Sequence, residues 1–156
     1  MKGWRALAVV AAMAGLGVAQ SRETAGNLPD RERLVGAWRL AHIDSPGPDG
    51  KARSTLQPEG MLIYTRDGHM SVQLMYPKAA AALTNQYVKD GYEASFGSYD
   101  VDEATHTVTH HVLGSNTGGL LVGKDLPRRY SFTAEGRLLI QPVSRDENWS
   151  VTWQHY

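Results

Sequence analysis

The residues most able to do chemistry are six histidines: His42, His69, His106, His110, His111 and His155. Their spacing argues against a shared metal. His110 and His111 are adjacent, so on an extended chain they point to opposite faces. His106 and His110 share a face but lie ~13 Å apart along a strand, too far for two ligands each ~2 Å from one ion. A metal site would need histidines from neighbouring strands, and a haem on His110 alone is the other reading left open; no cofactor or metal is expected. The chain has no cysteine, so thiolate sites and disulfides are excluded. It carries no Gly-x-Ser-x-Gly, no phosphate loop and no dinucleotide fingerprint. The carboxylates cluster in turn-forming stretches such as Asp67, Asp102, Glu103 and Glu135, where they suit turn chemistry rather than a paired acid and base. Two polar residues remain as candidate anchors. Alternation places Val108, His110 and Val112 on one face, and a buried histidine must find a hydrogen-bond partner. Either a tyrosine such as Tyr99 or Tyr130 satisfies it, or it serves a ligand as anchor or general acid. Arg128 shares a face with Tyr130 and Phe132 and could pair with a ligand carboxylate. The alternative is a solvated rim charge, with Arg129 taking the opposite face.

These residues need a scaffold, and the scaffold reads as all-β. Alternating runs over 34–43, 60–65, 69–75, 96–101, 106–114, 126–133, 137–143 and 149–155 are separated by turn signals. Asp67-Gly68 suits a two-residue type I′ turn. It would pair Thr65 with Met70, Ile63 with Val72 and Met61 with Leu74, leaving Tyr64 on the opposite face. Ala134-Glu135-Gly136 suits a three-residue loop pairing Phe132 with Leu138 and Tyr130 with Ile140. A four-residue turn over 102–105 would pair Tyr99 with Val108 and Gly97 with His110. The tight turns alternate with long links, so an up-and-down meander would have one closed end and one mouth. Eight such strands can close into a barrel that encloses one small ligand. The long link after Tyr76 carries an alanine-rich helix signal and reads as a helical crossover over 79–95. His110, Arg128, Tyr99 and Tyr130 are then the expected polar anchors. Met70, Val72 and Trp153 are the expected walls.

The chain has 156 residues and no net charge. That suits one domain and gives no basic face for nucleic acid. Lys2 and Arg5 precede an uncharged apolar run from Ala6 to Ala19 that ends in small residues. This reads as a secretory signal over residues 1–19, cleaved before Gln20. The run is short for a membrane span, so no stable insertion is expected after cleavage. The mature protein is expected to be secreted or periplasmic. Residues 20–33 read as a loose polar arm and 34–156 as the barrel domain.

Leu34-Val35-Gly36-Ala37-Trp38-Arg39-Leu40 places Gly-x-Trp at the opening of the first strand. With the segments Gly60–Gln73, Phe96–Tyr99 and Val108–Val112 in order, the chain resembles the lipocalin-like domain family, from about Leu34 to its C-terminus. The resemblance implies an eight-stranded antiparallel up-and-down barrel with an internal cavity. It also implies that Gly36 and Trp38 plug the closed end. An arginine often stacks on that tryptophan; here the last strand has none, and His155 or Trp153 must stand in. The function expected is binding of a small, largely apolar ligand in the cavity. The alternative is an isomerase or cyclase folding a hydrophobic substrate there with a histidine or tyrosine for proton transfer. A filled core would leave only the surface to act, and cavity volume separates that case from the others.

Overall fold

The computed structural model describes residues 28–45, 58–77 and 85–156. The proposed signal, residues 1–19, lies outside them. A short helix α1 (Asp30–Leu34) precedes eight strands: β1 (Gly36–Asp44), β2 (Glu59–Tyr64), β3 (His69–Met75), β4 (Tyr92–Asp102), β5 (Thr107–Ser115), β6 (Asp125–Phe132), β7 (Leu138–Pro142) and β8 (Ser150–His155). They form a closed barrel in sequence order, every pair antiparallel, with β8 returning to β1. Closure leaves no free sheet edge. Tight turns join β2–β3, β4–β5 and β6–β7 at one end. The strand ends that the long links join lie at the other; residues 46–57 and 78–84 of those links are outside the described residues. Among the described residues, no helix is long and apolar enough to cross a membrane.

The closed end is sealed by α1, which lies in the stretch expected to be a loose arm. Its residues fasten to each hairpin turn. The Arg31 amide donates to Glu103 Oε1 (3.0 Å), and the Tyr130 hydroxyl donates to Asp30 Oδ2 (3.1 Å). Arg33 lies 3.7 Å over the Phe132 ring and pairs with Asp30 at 3.0 Å. Trp38 is 2 % exposed, and its indole N–H donates to the Leu34 carbonyl at 2.8 Å. The His155 ring takes the place of the expected arginine, 4.3 Å from the Trp38 ring. It sits where a Cβ on Gly36 would come within 2.5 Å, and Gly36 has φ +139°. Glycine is needed there on both counts.

Three turn readings meet different fates. The Tyr130–Ile140 and Phe132–Leu138 pairs form as expected, with Gly136 at φ 76° in the left-handed position. The Asp67-Gly68 reading is off by one. Thr65 donates its amide to the His69 carbonyl, so the loop holds three residues, 66–68, with Gly68 at φ 89°. Tyr64 therefore pairs with Met70, and Leu62 with Val72. Because side chains alternate, one residue of slip exchanges the faces. Leu62 and Tyr64 are buried, while Met61 is exposed. The β4–β5 turn is off by two, which preserves the faces: Tyr99 pairs with His110 and Gly97 with Val112, past a bulge at Phe96/Gly97.

The helical crossover also needs correction. Ala79–Leu83 lies outside the described residues. From Asn85 onward the segment makes bends and turns, and β4 begins already at Tyr92, four residues before the expected strand. The one helical turn in a described crossover is the 3-10 turn Gly118–Leu120, between β5 and β6.

Candidate functional site

The lower half of the barrel is filled and the upper half is not. Tyr64, Tyr99, Tyr130, Met70, Val108 and Leu138 pack with Trp38 into one buried core. Above them lies a cavity of about 160 Å³ that reaches the mouth. Leu62, His110 and Trp153 bound it below, and Tyr76, Tyr87 and Trp149 bound it nearer the rim. Of the seven sequence-expected ligand residues, the structure brings four to this cavity: His110, Arg128, Val72 and Trp153. Tyr99, Tyr130 and Met70 belong to the filled core instead. The two tyrosine hydroxyls point away from the cavity to closed-end partners: Tyr99 donates to the Thr65 carbonyl (2.9 Å) and Tyr130 to Asp30.

His110 is 8 % exposed. It does pair with a tyrosine, but that residue is Tyr64, which the sequence register had turned outward. Tyr64 Oη lies 2.6 Å from His110 Nε2. The phenol is sealed in the core and has no other acceptor among the described residues. Its proton must therefore go to Nε2, which assigns the neutral ring the Nδ1–H form. Burial, reinforced by the positive charge of Arg128 and then of His111, pushes the His110 pKa down to about 3. Burial likewise holds Tyr64 well above the usual phenol range. Both stay neutral across physiological pH. Nδ1 makes no hydrogen bond to a described residue. Yet no sealed side-chain nitrogen or oxygen among the described residues lacks a partner. Nδ1–H therefore borders open space, and the cavity lined by His110 supplies it.

Arg128 faces inward as expected, with Arg129 exposed, but it is not a wet rim charge. It is 6 % exposed. Its Nη2 donates to the Tyr87 hydroxyl (2.9 Å) and its Nη1 to the Pro127 carbonyl (3.4 Å). Nη1 also lies 3.8 Å from Glu147 Oε1. Trp149 flanks the guanidinium at 4.9 Å and Tyr87 at 5.4 Å. Glu147 in turn accepts from Tyr87 Oη (2.6 Å) and Trp149 Nε1 (2.8 Å). This network ties the β3–β4 link to the β7–β8 link across the mouth. It also neutralises the arginine.

Sequence reasoning missed two residues. Tyr64 was lost to the one-residue register slip, and recognising a three-residue loop would have recovered it. Glu93 was lost because residues 76–95 read as a crossover, so no inward face was assigned to it. It lies on β4, lines the cavity and is half-buried. Burial raises its pKa to about 7, against the opposing pull of Arg128.

A closed eight-stranded meander with one plugged end and a lined cavity at the other is the build of barrels that hold a single small molecule. The chain belongs to the lipocalin-like domain family, whose model matches residues 35–155. No curated protein matches it. Among solved structures it is similar to the fluorescent protein UnaG in two single-substitution mutants. These share 10 % and 11 % identity with a TM-score of 0.42, covering 80 % of this chain and 97 % and 96 % of theirs.

Proposed function

We propose that this protein binds one small, largely apolar ligand in the barrel cavity, with the His110 Nδ1–H donating to an acceptor atom of that ligand. One observation carries the reading: a cavity of about 160 Å³ whose buried wall holds a polar donor with no partner among the described residues. A filled core would have no such space, and a structural histidine would have both nitrogens engaged. Val72, Leu74, Val151 and Trp153 supply the apolar walls. An engineered cavity of about 150 Å³ holds benzene, so the buried part of the ligand is about one ring in size. The charged start and apolar run of residues 1–19 support export to a secreted or periplasmic setting, with the mature chain starting near Gln20. An N-terminal mass measurement on the exported protein checks that start.

The binding test is direct. Trp149 and Trp153 line the cavity, so occupancy should change tryptophan emission. Indole-free aromatics such as toluene and benzaldehyde should quench it saturably. Benzaldehyde, which carries an acceptor, should bind several-fold tighter than toluene. Val72→Trp, which fills the space, should abolish both. Equal binding by the two probes would remove His110 as anchor. No saturable binding by either would remove the ligand site.

A further inference from the structure

We propose that the cavity selects an amine, an ammonium group carried on a body about one ring in size and seated beside Glu93. The proposal rests on the reading of the cavity as a ligand site and names the class of ligand. Two of the described residues lining it carry a formal charge, Arg128 and Glu93. Arg128 is already matched: Glu147 neutralises it, Tyr87 and the Pro127 carbonyl take its protons, and Trp149 and Tyr87 flank it. Glu93 is not matched. Among the described residues its carboxylate has no hydrogen bond and no ion pair, and it sits in a wall made mostly of apolar side chains. Among the described lining residues the unbalanced charge, once Glu93 is ionised, is therefore negative. An anionic ligand would meet it with repulsion, and a neutral one would leave it unpaired. A cation would restore neutrality.

The neighbours of Glu93 fit the same ligand. Tyr76, just after β3, is close enough for the Glu93 charge to act on its hydroxyl, and it lines the cavity with Tyr87 and Trp149. Aromatic faces beside a carboxylate attract an ammonium group through the ring quadrupole as well as through the charge. Among the described residues the titratable and charged groups around Glu93 are thus Tyr76 just after β3 and Arg128 from β6, with Tyr87 and Glu147 behind the arginine. His110 stays neutral down to low pH, so it adds a donor but no competing charge. A carboxylate held at a cost in an apolar wall gains most from a partner that arrives with the ligand.

Three probes of one shape test the proposal: 2-phenylethylamine, 2-phenylethanol and 3-phenylpropionate, titrated into the full chain by calorimetry and tryptophan emission. At pH 8 the amine should bind about tenfold or more tighter than the alcohol, and the carboxylate weakest. Glu93→Gln should remove the amine's advantage and leave the alcohol's affinity within about twofold. At pH 5.5, where Glu93 takes up a proton, the advantage of the amine should shrink in the wild type and not in the variant. A preference for the carboxylate, or an amine preference that survives Glu93→Gln, overturns the proposal while leaving a ligand site in place. Failure of all three to bind overturns both the amine and the cavity reading.

Discussion

The closed end and the mouth are built from similar side chains: aromatic rings, arginines and carboxylates. They differ in what is left over. At the closed end the buried polar groups are met from within the chain: Trp38 to Leu34, Tyr99 to Thr65, Tyr130 to Asp30, with Arg33 stacked on Phe132. At the mouth one such network exists, around Arg128, Tyr87, Glu147 and Trp149, and it frames rather than fills the space. Beside it Glu93 lacks a partner among the described residues, and His110 uses one nitrogen of two. A region whose polar groups are all satisfied by the chain has stability as its product. A region that leaves a buried donor and a carboxylate facing a void gives up stability where a ligand can restore it.

Five changes probe that contrast. Trp38→Ala should have the largest effect, a loss of about 3–5 kcal/mol in urea unfolding, because it empties the plug and orphans the Leu34 carbonyl. A loss below about 1 kcal/mol would mean the closed end is not the stabilising half. Arg128→Gln should cost about 2–4 kcal/mol, since it strands Glu147 and opens the mouth network. The neighbouring Arg129→Gln should change stability by less than about 0.5 kcal/mol. Equal effects at the two positions would refute the inward assignment of Arg128. Tyr64→Phe should cost about 1–3 kcal/mol, the penalty of a buried acceptor left without its donor. It should also weaken any ligand held by His110, because the Nδ1–H form is no longer enforced.

The fourth change is in pH. The His110 pKa is lowered from 6.5 in the unfolded chain to about 3 in the folded one. Between these values the unfolded state binds the extra proton. Stability contributed by the neutral ring is therefore full above pH 6.5 and falls as pH drops below it, by up to about 1.4 kcal/mol per pH unit. His110→Phe should flatten this part of the stability–pH curve relative to the wild type. Parallel curves would show that the ring is not buried neutral. The smallest effect concerns Glu93, whose pKa is raised to about 7. Its folded-state cost is absent below pH 4.5 and grows as pH rises toward 7. Glu93→Gln should thus raise Tm by roughly 2–5 °C at pH 8 and by nothing measurable at pH 4. A fall in Tm at pH 8 would place Glu93 among the satisfied groups and erase the difference between the two ends.

Much of the barrel was legible in the residues themselves. Alternation with turn signals identified eight strands, and the alternation of short and long links told the closed end from the mouth. Gly36-x-Trp38 marked the plug, and the Gly136 loop placed Arg128, Tyr130 and Phe132 inward with Arg129 outward. These are local properties: a strand's period and a glycine's left-handed φ depend on a few neighbouring residues. Loop length was less secure. One residue more in the Asp67-Gly68 loop turned Tyr64 from the surface to the core and made it the partner of His110. No local sign marked this, because Met61-Leu62-Ile63-Tyr64 is apolar on both faces. Glu93 shows the same limit from another side, since nothing in Gly91-Tyr92-Glu93-Ala94 distinguishes a buried carboxylate from a solvated one. Local pattern was enough for the order of strands, their faces where one face is polar, and the asymmetry of the two ends. Where the core stops and the cavity begins, that Arg128 is matched, and that Glu93 has no partner among the described residues all wait on the closed barrel. Those facts depend on which side chains meet across the barrel, and pairs such as Tyr64 with His110 or Arg128 with Glu147 come together only when the sheet closes.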